Sequence, residues 1–250
     1  MKISDHRVFF LAEEDFINPQ QAQINETDSF HIQKVLRLKK SDQIVIMTSQ
    51  GKFLAHIIRD DSSRLLIELD ECIESNQAPA KKISLLQSIP KLRKMDEIIE
   101  KSTEFGVYEI FPAFTLRSSI NPQSPLIQGK EERWKRIAMA ASKQSRRSHL
   151  PIIHPPISLS SLMQDSTLFA DALKVVFWEQ EQETKLIQLL PLIQDHSHIV
   201  LCIGPEGGFA ISEIEELSKN GFQTCSLGRQ ILRTETAGPF AVGFVESISQ

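Results

Sequence analysis

The chain has 250 residues, of which 41% are hydrophobic and 24% charged, a composition typical of a globular protein with one or two domains. No apolar run approaches the ~20 residues of a membrane span. The start of the chain lacks the pattern of a secretory signal, and the three cysteines are widely spaced. We therefore expect a cytoplasmic protein with reduced thiols, no membrane contact and no metal site.

The net charge of −4 is unevenly distributed along the chain. Residues 81–147 contain 14 Lys and Arg against 7 Asp and Glu, whereas residues 148–250 contain 5 against 12. A basic middle segment favours a surface that binds a polyanion. A solvated helix face would produce the same pattern, and charge alone does not distinguish the two interpretations.

The segment 1–74 predicts a small β-barrel that includes one short helix. Apolar runs with the length and residue types of strands lie at 7–11, 43–47, 52–58 and 64–69. The turn residues Ser49-Gln50-Gly51 predict a hairpin between the second and third runs. The pattern over Asp28 to Leu36 predicts a helix that Asp28 caps, with Phe30, Val35 and Leu36 turned inward.

Residues 75–250 predict a second domain, which follows a polar, Pro-containing linker over 74–80. Strands are expected at 83–89, at 107–114, within 168–178, at 198–203 and at 222–226. Helices are expected at 92–105, 131–147, 185–190, 211–220 and 234–249. Because strands and helices alternate, we expect an α/β domain with a mainly parallel sheet that is covered on both faces.

A glycine-rich loop follows the apolar run 199–203. Its sequence is Gly204-Pro205-Glu206-Gly207-Gly208-Phe209. Ligands of open parallel sheets bind beyond the carboxyl ends of the strands, and glycines let the backbone approach a ligand closely. No Lys-Ser/Thr pair follows the glycines, and Glu206 would repel phosphate, so a neutral or cationic ligand fits better than a triphosphate. A plain tight turn is the alternative.

A second loop, Leu227 to Ala237, follows the next strand. Gly228 permits a turn, and Thr234 is expected to cap the last helix, whose first turn accommodates Glu235. Arg233 and Glu235 would then form a structural ion pair or take part in chemistry. Both loops should lie at one edge of the sheet and form a concave site there.

The two loops resemble the cofactor region of SPOUT methyltransferases, and more narrowly that of the RsmE family. Gly-Pro-Glu-Gly-Gly-Phe is followed about twenty residues later by Leu-Gly-x-x-Ile-Leu-Arg-x-Glu-Thr-Ala. Further matches extend over nearly the whole chain, at Arg7–Phe10, His31–Arg37, Glu100–Val107 and Ala141–Arg147. Phe105 stands where Leu is expected and Gln230 where a basic residue is frequent, which affects packing or RNA affinity at most.

The resemblance implies a SPOUT-type knotted methyltransferase domain over 75–250 and a PUA-like barrel over 1–74. In a trefoil knot of this kind, the chain after Ser226 threads through the turn formed by Gly204 to Phe209. The resemblance also implies a homodimer, with the last helix in its interface, and S-adenosylmethionine (SAM) as the cofactor. The expected SAM-binding residues are Gly204, Pro205, Glu206, Gly207, Gly208, Leu227, Gly228, Ile231, Leu232, Thr236 and Ala237.

The activity implied by the RsmE family is methylation of uridine N3 in 16S ribosomal RNA, within the small ribosomal subunit. Uracil N3 is a weak acid, comparable to a tyrosine phenol at ~10, so its anion must be stabilised or its proton accepted. We expect Arg233 or Arg117 to stabilise the developing charge, and Glu206 or Glu235 to accept the proton. A purely structural role for each of these residues is the alternative.

Basic residues of the barrel and of the middle segment are the expected RNA contacts, because phosphate binding supplies most of the affinity. They are Arg7, Lys34, Arg37, Lys39, Arg133, Arg136, Lys143, Arg146 and Arg147. Two other functions stay open at this point. One is a SPOUT ribose 2′-O-methyltransferase with the same cofactor loops, and the other is a noncatalytic RNA-binding factor of ribosome assembly.

Overall fold

A computed structural model describes residues 8–11, 13–48, 50–60, 63–75, 81–91, 93–145, 147, 149–165 and 167–249. The chain divides into two units. The first comprises Met1–Gln77 with Ser145–Leu150, and the second comprises Ala78–Gln144 with Pro151–Gln250. The domain boundary expected at residue 74 stays a prediction, since the linker that follows lies mostly outside the described residues.

The first unit contains a curled six-stranded sheet in the order β1-β4-β5-β6-β3-β2. Its strands are β1 (Val8–Phe10), β2 (Phe16–Asn18), β3 (Gln21–Gln23), β4 (Gln43–Thr48), β5 (Gly51–Arg59) and β6 (Leu66–Ser75). Strands β1 and β4 are parallel, and the other pairs are antiparallel. The predicted hairpin is confirmed, because Thr48 pairs with Gly51 across the β4–β5 turn. The short strands β2 and β3 were not predicted.

The helix of this unit begins earlier than the sequence pattern predicts. Helix α1 (Glu26–Phe30) continues into a π-helical turn over His31–Val35. Asn25 is the cap, since its Oδ1 accepts a 2.9 Å hydrogen bond from the Asp28 amide, and the prediction that Asp28 caps the helix is wrong. Phe30 and Val35 are 62% and 59% exposed, so their expected inward orientation is also wrong.

The second unit contains a seven-stranded sheet in which every strand pair is parallel, as predicted. Its strands are β7 (Lys82–Ser88), β8 (Glu109–Phe114), β9 (Ile152–Ile153), β10 (Ile157–Ser158), β11 (Leu173–Phe177), β12 (His198–Ile203) and β13 (Gln223–Cys225). The order is β10-β8-β7-β12-β11-β13, with β9 also paired to β8. Strands β9 and β10 have two residues each and were not predicted.

Helices cover both faces of this sheet, which confirms the predicted α/β architecture. They are α2 (Lys94–Glu104), α3 (Lys130–Ser145), α4 (Leu159–Gln164), α5 (Leu190–Asp195), α6 (Ile211–Lys219) and α7 (Thr234–Ser247). Alternate strand residues face opposite layers: Ile199 and Leu201 pack in the cluster that contains Val242, whereas Val200 and Cys202 pack in the one that contains Leu217. Among the described residues, no helix combines the length and apolarity required to cross a membrane.

Some helices differ from the predicted ones. Helix α4 was not predicted. The helix expected at 185–190 is a 3₁₀ turn, Leu186–Leu189, that continues into α5. Pro191 lies in the first turn of α5. Amides in the first turn of a helix have no intrahelical acceptor, so a proline is tolerated there and α5 can follow the 3₁₀ turn directly.

Candidate cofactor site

The two predicted loops lie at the carboxyl-terminal edge of the parallel sheet. The first connects β12, which ends at Ile203, to α6, which begins at Ile211. The second connects β13, which ends at Cys225, to α7, which begins at Thr234. Strand β11 is hydrogen-bonded to both β12 and β13, so the chain that leaves Phe177 emerges between the loops.

A chain of hydrogen bonds joins the two loops. The Thr234 hydroxyl donates to the Gly204 carbonyl at 2.7 Å and accepts from Gln87 Nε2 at 3.0 Å. The helix cap itself is Arg233, and no side chain provides a capping hydrogen bond there. The prediction that Thr234 caps α7 is therefore wrong, because its hydroxyl is used to hold the glycine-rich loop.

Two glycines of the first loop permit close contacts that a side chain would prevent. Gly208 has φ +66°, in the left-handed region, and a Cβ at this position would overlap the Glu179 carboxylate. A Cβ at Gly204 would lie 3.1 Å from the Phe209 ring, which is buried below the loop. The backbone of this loop is thus packed closely between neighbouring side chains.

The loops enclose a cavity of about 830 Å³. Every residue predicted to bind the cofactor lines this cavity except Thr236, which is exposed on the first turn of α7. Phe177, Ile203, Leu227 and Leu232 contribute apolar surface to the wall. The structure therefore brings together two loops that are separate in the sequence.

The ammonium of Lys94, on the first turn of α2, lies between two of the predicted catalytic carboxylates. Its Nζ is 3.3 Å from Glu206 Oε1 and 3.1 Å from Glu235 Oε2. The contact with Glu235 raises the pKa of Lys94, against the opposing effect of burial and with help from Glu206. Burial opposes ionisation of Glu206, but its own amide, the Lys91 amide and the Lys94 ammonium outweigh burial and lower its pKa.

The two predicted catalytic arginines occupy different places at the cavity mouth. Arg233 lies in the cavity wall with an 83% exposed side chain, and its Nη1 is 4.0 Å from Glu235 Oε1. Arg117 follows β8 and does not line the cavity, but its Nη1 donates to the Gly207 carbonyl at 2.9 Å. The buried Glu213 carboxylate holds the preceding residue, since its Oε1 accepts from the Leu116 amide at 2.7 Å.

The wall residues that were not predicted include Lys94, Phe177, Trp178, Glu179, Glu181, Gln182 and Lys185. Glu181 accepts a 2.5 Å hydrogen bond from the Thr224 hydroxyl, which lowers the pKa of Glu181 together with the Thr184 and Glu183 amides. The sequence could have indicated Glu179 and its neighbour Trp178 as site residues, because they lie at the end of a predicted strand, as both loops do. Lys94 left no such signal, since it lies within a predicted helix.

The predicted RNA contacts are distributed over both units. In the first unit Lys34, Arg37 and Lys39 are exposed, and Arg147 is partly buried. In the second unit Arg133 is paired with Asp96 at 2.8 Å, which raises its pKa. Arg136 donates to the Glu132 carbonyl, and Lys143 is partly buried. Arg7 and Arg146 lie outside the described residues.

Two family models match the chain, an RNA methyltransferase domain over residues 76–246 and an RNA methyltransferase PUA domain over residues 24–70. Ribosomal RNA small subunit methyltransferase E of Bacillus subtilis is 30% identical over 92% of this chain and 94% of that protein. Its counterpart in Aquifex aeolicus is 31% identical over 82% and 85%, respectively.

Solved structures agree with these relatives. Ribosomal RNA small subunit methyltransferase E of Neisseria gonorrhoeae, bound to SAM, superimposes with a TM-score of 0.77 at 25% identity, over 96% of this chain and 97% of that one. A Legionella pneumophila protein in complex with SAM gives 0.80 at 26% identity, with the same coverage. The predicted SPOUT-type α/β fold with a PUA-like domain is confirmed, and the chain belongs to the ribosomal RNA small subunit methyltransferase E family of RNA methyltransferases.

Proposed function

We propose that this chain transfers a methyl group from SAM to N3 of a uridine in small-subunit ribosomal RNA. The observation that carries the proposal is the cavity between the Gly204–Phe209 loop and the Ser226–Arg233 loop, in a chain of the ribosomal RNA small subunit methyltransferase E family. A SAM-bound relative of the same fold supports the cofactor.

The residues of the cavity fit SAM. Its volume of about 830 Å³ lies in the range of ligand sites, roughly 300–1,000 Å³. SAM has a cationic sulfonium and an ammonium group, and the Glu179 carboxylate in the wall has no cationic partner among the described residues. The buried indole Nε1 of Trp178 likewise has no hydrogen-bond acceptor within the described part of the chain. A carboxylate-containing wall would repel a triphosphate.

When bound, SAM supplies an electrophilic methyl group. The chain must then align uridine N3 with that methyl and stabilise the anion that N3 becomes. Arg233 is suited to the second task, since its guanidinium lies in the cavity wall and remains largely exposed to an incoming base. Arg117, held by the Gly207 carbonyl, is the second candidate.

Glu206 is a weaker candidate for the proton acceptor than its position suggests. Its lowered pKa reduces its affinity for a proton, and its Oε1 is already occupied by the Lys91 amide and the Lys94 ammonium. Glu235 is paired with the same ammonium. Both carboxylates therefore serve best by holding the loop and α7 together. The N3 proton then passes to solvent water, and stabilisation of the resulting uridine anion by Arg233 is the principal catalytic contribution.

We further propose a homodimer, a knotted chain and a cytoplasmic location. Phe105 and Phe240 are 47% and 45% exposed, and apolar surface of this kind favours burial against a second copy. The hydrogen bond from Thr234 to Gly204 supports the knot, because it holds the chain after Ser226 against the Gly204–Phe209 loop. A ribosomal RNA substrate supports the cytoplasmic location, because ribosomal subunits are found there.

The deciding experiment uses SAM with a labelled methyl group and small ribosomal subunits from a strain that lacks this modification. After incubation with purified protein, the RNA is digested and the labelled nucleoside is identified by mass spectrometry. We expect labelled 3-methyluridine. A labelled 2′-O-methyl nucleoside would assign the chain to ribose methylation instead. Absence of label, together with absence of SAM binding by calorimetry, would favour a noncatalytic RNA-binding factor.

A further inference from the structure

Basic residues from separate segments of the second unit surround the mouth of the cofactor cavity. Arg229 and Arg233 belong to the cavity wall itself. Arg117 lies against the glycine-rich loop, since its guanidinium donates to the Gly207 carbonyl. All three are exposed, and they come from two connections that are more than a hundred residues apart in the chain.

Two further cations adjoin the same loop from the start of α2. The main-chain amide of Lys91 donates to Glu206 Oε1 at 3.1 Å. Arg93 is the N-cap of α2 and directly precedes Lys94, whose ammonium reaches Glu206. Lys91 and Arg93 are exposed, and neither was predicted to bind RNA. We call the set of Lys91, Arg93, Arg117, Arg229 and Arg233 the cationic rim.

The cations of the rim are largely without carboxylate partners. Among the described residues, their only carboxylate contact within 4.0 Å is that between Arg233 and Glu235, and this carboxylate is closer to Lys94. On helix α3, by contrast, Arg133 is paired with Asp96 and Lys135 with Glu131. Helix α3 therefore presents less free positive charge than its sequence suggests.

We propose that the cationic rim binds the phosphates of a single-stranded RNA segment on either side of the target nucleotide. This inference rests on the proposed function, because it places the acceptor base at the SAM cavity. Phosphate contacts by exposed Lys and Arg supply most of the affinity for RNA and hold it in register. A cluster of free cations at the cavity mouth provides such contacts at the point where the base must enter.

Exposed apolar side chains next to these cations in the chain suit an unpaired nucleotide rather than a duplex. Ile231, two residues before Arg233, is 84% exposed, and Leu116, beside Arg117, is 72% exposed. Large apolar side chains can pack against the face of an unstacked base, whereas a regular helix presents only its backbone and groove edges. The rim thus combines free cations with apolar surface, as single-stranded RNA requires.

The test measures binding of a fluorescent oligouridine of about 12 nucleotides and of an RNA duplex of the same length, by anisotropy over a KCl series. The full chain is compared with Lys91→Ala/Arg93→Ala, which leaves the catalytic candidates intact. The matched control is Lys101→Ala/Lys135→Ala, which removes the same charge from cations that are paired with glutamates. Arg93→Lys preserves the charge of the rim.

We expect the rim variant to bind oligouridine about tenfold more weakly, and the slope of log K against log salt to become less steep by about 1.4, or ~0.7 for each lost phosphate contact. The control and Arg93→Lys should stay within about twofold of the wild type, since exposed substitutions rarely perturb the fold. SAM affinity, measured by calorimetry, should not change.

Equal losses in the rim and control variants, tighter binding of the duplex, or failure of the wild type to bind oligouridine would each overturn the proposal. The methylation assay separates it from the proposed function. If the wild type methylates ribosomal subunits but the rim variant keeps wild-type KM and oligouridine affinity, RNA binding by the rim is rejected and the proposed function is retained. If the rim variant loses RNA binding while the wild type transfers no methyl group, the proposed function is rejected and RNA binding by the rim is retained.

Discussion

The Thr234 hydroxyl donates a 2.7 Å hydrogen bond to the Gly204 carbonyl, which ties the start of the last helix to the start of the glycine-rich loop. Gln87 Nε2 donates to the same hydroxyl from the end of β7. Three segments that are distant in the sequence are thereby fixed at one point of the cofactor cavity. Because loop geometry decides which backbone groups face a ligand, this contact should control SAM affinity.

Thr234→Val removes the hydroxyl while preserving the shape of the side chain. We expect SAM to bind about three- to tenfold more weakly, because a lost hydrogen bond of ~1 kcal/mol leaves the Gly204 carbonyl without its donor. Thr234→Ser keeps the hydroxyl and should retain most of the affinity. Calorimetric titration with SAM measures both variants. Equal affinity in Thr234→Val and the wild type would mean that the contact does not shape the site.

The sequence predicts the loops of this site better than the contacts that hold them. A buried strand followed by glycines is a local pattern, and the rule that ligands lie beyond strand ends then places both loops together. The hydrogen bond between Gln87 and Thr234 joins residues 147 positions apart, and no local pattern indicates it. Thr234 satisfies the local criteria for a helix cap, but its tertiary contact takes precedence.

Gly208→Ala should disrupt the cavity by two effects. The new Cβ would overlap the Glu179 carboxylate, and φ of +66° is unfavourable for any residue with a side chain. We expect SAM affinity to fall at least about tenfold and the free energy of unfolding to fall by about 1–3 kcal/mol. Calorimetry and urea denaturation measure the two quantities.

The matched control for this variant is Gly221→Ala. Gly221 also has a positive φ, +85°, but no atom of the described residues lies within 4 Å of the place that a Cβ would occupy, and Gly221 does not line the cavity. Its substitution should reduce the free energy of unfolding by a similar backbone contribution and leave SAM affinity unchanged. If both glycine variants weaken SAM equally, the overlap with Glu179 is irrelevant to the site.

The short elements of the fold escape prediction for a physical reason. Strands β9 and β10 have two residues each, too few to establish a period of two, and they form only because β8 offers an edge to pair with. Helix α1 has two suitable caps, Asn25 and Asp28. Asn25 is used because its amide also donates to Asp28 Oδ2 at 3.0 Å, a reciprocal contact that favours the earlier start.

Lys94→Met should change the preference between SAM and its product S-adenosylhomocysteine (SAH). Without the ammonium, Glu206 and Glu235 remain as uncompensated charges beside the cavity, so the loop is held less firmly and both ligands should bind more weakly. The two unpaired carboxylates attract the cationic SAM and so offset part of its loss of affinity, whereas they do not attract the neutral SAH. We expect the ratio of SAM to SAH affinity to rise by about threefold or more. Lys94→Met/Glu206→Gln should return the ratio toward the wild-type value, and an unchanged ratio in Lys94→Met would contradict the prediction.

A buried polar cluster at the opposite edge of the sheet should determine the acid stability of the protein. Burial opposes ionisation of Glu109, but hydrogen bonds from His154, Lys82 and Ser84 lower its pKa to about 2. The Ser84 hydroxyl gives its single proton to Glu109 at 2.6 Å, so the 2.8 Å contact with His198 Nε2 requires the imidazole to donate. Burial, with repulsion from Lys82, lowers the pKa of His198.

Both shifts make stability fall as the solution is acidified. Because the pKa of His198 is lower in the folded protein than its ordinary value of 6.5, the imidazole binds a proton more readily in the unfolded chain. The free energy of unfolding therefore begins to decline as the pH falls below about 6.5. The contribution of Glu109 is complete above its ordinary pKa of 4.5 and is lost as the pH falls toward about 2, an effect of about 3 kcal/mol. Glu109→Gln should therefore be less stable than the wild type near neutral pH and should lose less stability below 4.5. Urea denaturation over a pH series measures both proteins, and parallel curves below that pH would rule out Glu109 as the group responsible.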